Sequence, residues 1–244
     1  MDNRHDMKQA INGSYGVFAV TNYWGMVGEN PKTAYDREIA QGKAIGDICN
    51  ELGVKHLVYS GLEHVEAIME KPCPHFDTKG IVEKYLDEKS VPNTSTRYAF
   101  YFDNFLGLFP MQKQDDGTYT LTFPAQKPMD GVAVADCGPA VAAIFDNPEE
   151  YIGRKIGFSG DKLTGHEYAA ILSKVIGKTV NFNYVPPEVF AKFPFPGADD
   201  IATMFEFYDF GNGPDRSVEL TCKLNPAVQG FEAWARQNKD QIPV

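Results

Sequence analysis

At 244 residues the chain is long enough for one large domain or one and a half ordinary ones, with a substantial buried core. A formal net charge of −10 excludes a broad nucleic-acid-binding face, which needs clustered Lys and Arg, but leaves room for a local basic pocket around a phosphate. No apolar run approaches the roughly 18 residues of a membrane helix, the first twenty residues lack the order of a signal peptide, and Cys49, Cys73, Cys137 and Cys222 form no zinc-spaced cluster, which predicts reduced thiols in a cytosolic protein.

Residues 6–12 read as the tail of a short helix closed by Gly13. Residues 15–21 form an apolar, β-rich run of the kind buried on both faces. A loop with Gly25, Gly28 and Pro31 spans 22–33. A helix follows over 35–52, with Ile39, Ala40, Ile45, Ile48 and Cys49 near helical spacing and Gly53 at its end. Residues 55–59 are the next strand, 76–86 the next helix and 94–98 a further strand. This alternation predicts βαβ units and a Rossmann-like α/β fold with a mostly parallel sheet.

The second half changes character. Asp115-Asp116-Gly117 is a turn leading into a strand at 119–123. Asp136 is placed to cap a helix that runs to Phe145. A strand at 155–158 precedes Thr164-Gly165-His166-Glu167, a capping box that opens a helix to Ile176. A strand at 179–185, a helix start at Pro186-Pro187, and helices at 199–210 and 226–238 complete the pattern. The expected organisation is a partial nucleotide-binding domain over 1–150 and a smaller α+β substrate or partner region over 151–244.

A dinucleotide-binding sheet opens with strand, glycine loop and helix, so that backbone N–H groups reach the pyrophosphate. Neither Gly-x-Gly-x-x-Gly nor Gly-x-x-Gly-x-x-Gly occurs here, and Gly13-Ser14-Tyr15-Gly16 precedes a strand instead of following one. The strand at Tyr15 is therefore expected at a sheet edge, and an N-terminally truncated fold is the favoured expectation over one that has lost its front half.

The chemistry concentrates around Lys79. His75 and Lys79 carry the spacing of the Tyr-x-x-x-Lys pair of short-chain dehydrogenases, with His75 where the tyrosine belongs. Residues four apart share one helix face, and an ammonium with three donors suits ribose hydroxyls. His75 reads either as a surrogate acid or base or as a helix-start residue without chemistry. Ser60 reads either as a carbonyl-polarising serine or as strand-end turn chemistry. Tyr23 is the better candidate for stacking on a ligand ring and Trp24 for packing under the loop. Lys43 reads as a solvated helix residue, and the stripe Phe205, Phe207, Tyr208, Phe210 as core before ligand box.

Several ordered stretches resemble the NmrA-like family of atypical short-chain dehydrogenases/reductases. They are Val20-Thr21-Asn22-Tyr23-Trp24, Glu38-Ile39-Ala40-Gln41-Gly42-Lys43, Val58-Tyr59-Ser60-Gly61-Leu62-Glu63, His75-Phe76-Asp77-Thr78-Lys79-Gly80, Tyr101-Phe102-Asp103-Asn104-Phe105 and Met129-Asp130-Gly131-Val132. The resemblance implies NADP(H) as cofactor and action mainly as a redox sensor through partner proteins. It puts Thr21, Asn22 and Tyr23 at a strand end beside the nicotinamide ribose and pyrophosphate, and Lys79 on that ribose. Tyr101, Phe102, Asp103 and Asn104 would wall the nicotinamide, with Asp103 in place of a glutamate, and Arg4 would fall on the adenine side.

The expected function is an NADP(H)-responsive regulatory protein with little or no dehydrogenase activity. It would act on regulatory protein partners without touching nucleic acid or membrane, in the cytoplasm or also the nucleus, with a homodimer left open. One alternative is an NAD(P)H-dependent oxidoreductase acting on a small carbonyl or quinone. Another is an interaction protein that binds no nucleotide.

Overall fold

The computed structural model describes residues 1–28, 30–210 and 215–244; residue 29, in the predicted loop, lies outside them. The first elements are α1 (Arg4–Ile11), β1 (Gly16–Ala19), α2 (Pro31–Leu52), β2 (His56–Gly61), α3 (Val65–Met69), α4 (Pro74–Glu88) and β3 (Asn93–Tyr98). β1, β2 and β3 pair in parallel, with Val17 opposite Leu57 and Val58 opposite Thr94. This is the Rossmann-like α/β arrangement that the alternation of helix and strand predicts. β1 stands at the end of the strand order, at the edge expected of it.

Local chemistry sets the boundaries. Asn30 caps α2 by accepting from the N–H groups of Lys32 and Thr33, and Pro31 follows in the first turn. The helix therefore starts four residues before the position its apolar spacing suggests. Gly53 closes it in the left-handed conformation, φ +67°. α2 and α4 lie unusually close. A Cβ on Gly42 would sit 2.6 Å from a Val82 methyl, and one on Gly46 would sit 2.4 Å from a Leu86 methyl. Ile45, Ile48, Leu57, Tyr59, Val82, Leu86 and Val91 form the core around this contact.

The later elements are β4 (Phe100–Tyr101), a 3-10 turn (Phe102–Leu106), β5 (Gln112–Lys113), β6 (Tyr119–Phe123), β7 (Met129–Val132), α5 (Val134–Asp146), α6 (Pro148–Tyr151) and β8 (Lys155–Phe158). They continue with β9 (Asp161–Leu163), α7 (Gly165–Ile176), β10 (Val180–Tyr184), α8 (Pro187–Phe190), α9 (Ala198–Asp209), α10 (Val218–Leu224) and α11 (Phe231–Gln237). Two three-stranded sheets are built from them, β10-β6-β5 and β4-β7-β9. The Thr164–Glu167 capping box forms in both directions at the start of α7. None of the described helices is long and apolar enough to cross a membrane.

Three further expectations need correction. The chain does not divide once near residue 150. One compact unit comprises Met1–Arg97 with Val141–Ile156, and the other, the larger, Tyr98–Ala140 with Gly157–Val244. Residues 141–156 belong with the first because they bond to β3: Ser95 N–H donates to the Arg154 carbonyl at 2.9 Å, and Gly153 N–H to that of Asn93 at 2.7 Å. Residues 226–230 are not helical. α10 lies before them, and Asn225 and Asp136 hold their backbone by accepting from Ala227 and Gln229 N–H. Asp136 is therefore an anchor for this segment inside the first turn of α5, not its cap. The carboxylate that accepts from the helix's first N–H, that of Val134, is Asp103 at 2.9 Å.

Candidate functional site

Because β1, β2 and β3 are parallel, their carboxyl ends share one edge of the first unit's sheet, the edge where α/β folds bind ligands. Thr21 lies two residues beyond β1 on that edge and is buried. The Lys79 ammonium, on α4, donates to the Thr21 carbonyl at 2.9 Å, to the Thr21 hydroxyl at 3.0 Å and to Glu38 Oε1 at 2.9 Å. Glu38, on α2, is wholly buried (0% exposed), and its second oxygen accepts from the Thr78 hydroxyl at 2.5 Å. The Tyr59 hydroxyl, from β2, lies 3.1 Å from that of Thr21. One polar cluster thus ties together the end of β1, β2, α2 and α4.

The electrostatics follow from burial. The Lys79 side chain is 12% exposed. Desolvation pulls its pKa below the usual lysine value, and the Glu38 carboxylate opposes that shift. Burial also raises the Tyr59 phenol, so it stays protonated. An ammonium has three N–H donors, and all three are engaged. A ligand hydroxyl that binds Lys79 must replace one of these acceptors.

Around this cluster the loop after β1 is shaped locally. Asn22 is exposed, and its side-chain oxygen accepts from Gly25 N–H, three residues on, at 3.0 Å. The turn that Met26 N–H closes onto the Tyr23 carbonyl leaves Trp24 outermost. The two aromatic expectations are therefore reversed: Tyr23 is packed at 4% exposure, and Trp24 is open at 41%. The Trp24 ring lies 4.9 Å from the His75 ring and 5.4 Å from that of Tyr23.

His75 sits one turn before Lys79 at the start of α4. Its imidazole is buried, 4.8 Å from the Phe76 ring, with Nδ1 3.9 Å from the Cys73 sulfur. Ser60 is buried inside β2 opposite Thr96, so the turn reading does not hold. The strand continues through Gly61, where a Cβ would come within 2.1 Å of Glu83 Oε1. Glu83 in turn takes the Arg97 guanidinium at 2.5 Å. Arg4 pairs with Glu51 at 3.5 Å on the surface. Thirteen residues of α2 separate Glu51 from Glu38, about 20 Å along the axis, so Arg4 is remote from the carboxyl edge.

In the second unit, Tyr101 pairs with Val132 in β4, and burial raises its phenol well above the ordinary value. Phe102 is fully buried, with ring centroids 5.1 Å from Phe231 and 5.9 Å from Trp234. It is a core residue, not a pocket wall. Asp103 is occupied by the start of α5, and the Asn104 carbonyl accepts from Phe109 N–H at 2.8 Å. Burial beside Asp136 and Asp103 pushes the Cys137 thiol up to about 12, which leaves it a poor nucleophile.

Glu38 was not singled out from the sequence, although a signal exists. Ala34, Glu38, Gln41, Ile45 and Ile48 recur at spacings of three and four and are all buried, which makes Glu38 an acid inside the helix's core-facing stripe. A charge there requires a partner, and Lys79 supplies it.

A parallel α/β sheet with a buried lysine at its carboxyl edge is a framework on which α/β proteins place ligand sites. The sequence profile of the NmrA-like family matches residues 1–235, and the chain belongs to that family. The nitrogen metabolite repression protein nmr of Neurospora crassa is 30% identical over 84% of this chain and 47% of its own length. The NmrA-like family domain-containing oxidoreductase FrzB of Cladobotryum sp. is 29% identical over 84% of this chain and 67% of its own. Among solved structures, that of NmrA, a negative transcriptional regulator, in complex with NADP shares the fold. Its TM-score is 0.78 at 22% identity, over 97% of this chain and 77% of NmrA's.

Proposed function

We propose that the protein is an NADP(H)-binding regulator whose cofactor lies at the carboxyl edge of the first unit's sheet, and that it is slow or inactive as a dehydrogenase. The observation that carries this is the Lys79 ammonium held 2.9 Å from the Thr21 carbonyl, just past β1. The donor set suits the nicotinamide end of a dinucleotide. Lys79 would meet ribose hydroxyls, Thr21 and Asn22 the ribose and pyrophosphate, and the open Trp24 ring offers a face for stacking.

Bound NADPH would supply a hydride. The chain offers no tyrosine at position 75 to deliver the matching proton, and the His75 ring is packed between Trp24 and Phe76. This favours occupancy over turnover. The ratio of NADPH to NADP would then bias the conformation or assembly presented to regulatory protein partners in the cytoplasm or nucleus. The relative named for nitrogen metabolite repression supports a regulatory role. The test is titration of NADPH and NADP separately, followed by partner capture at each ratio. Micromolar binding with ratio-dependent capture is expected, and capture that ignores the ratio would overturn the sensor role.

The oxidoreductase name of the Cladobotryum relative and the His75–Lys79 spacing favour a second reading, reduction of a small carbonyl or quinone. There His75 or Ser60 would assist proton transfer. NADPH consumption across a panel of such compounds distinguishes the two. Under the second reading His75→Ala slows turnover clearly; turnover left unchanged removes His75 from the chemistry.

A further inference from the structure

We infer that Glu38 is the positioning residue of this site: its buried carboxylate keeps the Lys79 ammonium charged and turned toward Thr21, ready to exchange an acceptor for a ligand hydroxyl. The inference rests on the reading of Lys79 as a cofactor contact. It starts from geometry. Both Glu38 oxygens are engaged from α4, one by Lys79 at 2.9 Å and one by Thr78 at 2.5 Å. The adjacent residues 78 and 79 thus grip one carboxylate from two sides. The close approach of α2 and α4 at Gly42 and Gly46 fixes the distance between the two helices.

A lone ammonium in such a place would shed its proton or swing out to water. Glu38 prevents both. With its ammonium anchored on Glu38, Lys79 needs to give up only one Thr21 bond to accept a ribose hydroxyl, and no helix has to move. Glu38 itself touches no ligand in this scheme; it acts through Lys79.

The test uses the full chain with 13C-labelled lysine. The Lys79 ε-methylene resonance is followed from about pH 6.5 to 10 without ligand, and NADPH affinity is measured over the same range. In the wild type Lys79 loses its charge at a higher pH than in Glu38→Gln, and affinity is flat below that transition. In Glu38→Gln the resonance titrates at a clearly lower pH. Affinity drops about tenfold and falls further as pH rises, because a lysine with a depressed pKa loses its charge on the alkaline side. Glu38→Asp recovers part of both.

Identical Lys79 titration in wild type and Glu38→Gln, or an affinity loss that does not vary with pH, overturns the inference. If the wild type binds no NADPH at all, the cofactor reading fails, and the ligand-free titration still decides whether Glu38 controls Lys79. If Glu38→Gln does not fold, the double variant Glu38→Gln/Lys79→Met decides. Recovery of folding supports the pairing, and no recovery contradicts it.

Discussion

The two units differ in what dominates their interiors, although each buries both charge and rings. The first buries charge: Glu38, Glu83 and Asp77 are all inside, each with bonded partners. The second buries rings. Phe102, Phe105, Tyr168, Phe231 and Trp234 form a cluster in which neighbouring ring centroids lie 4.6–6.4 Å apart. Aromatic packing adds stability directly. A buried ion pair seldom does, because desolvation offsets most of its attraction. The polar interior of the first unit therefore needs a reason other than stability, and the positioning of Lys79 proposed above supplies one.

That contrast can be broken at either end. The largest effect is expected from Phe231→Ala, which opens a cavity among four rings and should cost about 5 kcal/mol in urea unfolding. Lys79→Met should cost less, about 3 kcal/mol, since it leaves the Glu38 carboxylate buried without its cation but fills the space of the lysine stem. If Lys79→Met proves neutral, the first unit's ion pair is not held as the structure shows.

A third prediction concerns acid. His56 is wholly buried; its Nε2 lies 2.8 Å from the Thr94 hydroxyl, which itself donates to the Tyr151 carbonyl, and its Nδ1 has no hydrogen-bond partner among the described residues. Burial lowers its pKa from 6.5. The unfolded chain therefore takes up a proton that the folded chain refuses. Stability falls as pH drops below about 6.5, by at most about 1.4 kcal/mol per pH unit from this group. His56→Gln should flatten that part of a stability–pH curve; a curve of unchanged slope would contradict the assignment. The smallest effect is expected from Asp103→Ala, which frees the first N–H of α5 at a cost of about 1 kcal/mol. Thermal unfolding resolves it.

Much of the fold was legible in the sequence because periodicity and punctuation agree there. The strands at 119–123 and 155–158 and the Thr164 capping box appear where the residues place them. The start of α2 was missed because Asn30 and Pro31 set it ahead of the apolar stripe. α10 was missed although Ser217 caps it locally by accepting from Leu220 N–H, and the non-helical stretch at 226–230 was missed because Asn225 and Gln229 bond to Asp136, 89 and 93 residues earlier in sequence.

The site was legible in part. Lys79 and Thr21 do meet, whereas their link through Glu38 depends on a contact 41 residues apart that spacing cannot show. Phe102 was misplaced because a family motif fixes residue types and not which way a ring turns, and Arg4, which lies in none of those stretches, pairs with Glu51 near the far end of α2.

The most direct test of the central claim is a calorimetric titration of NADPH into the wild type and Lys79→Met, each confirmed folded. The account predicts one site per chain in the wild type and affinity at least about tenfold weaker in the variant. Equal affinity in the two proteins, or no binding to the wild type, would contradict it.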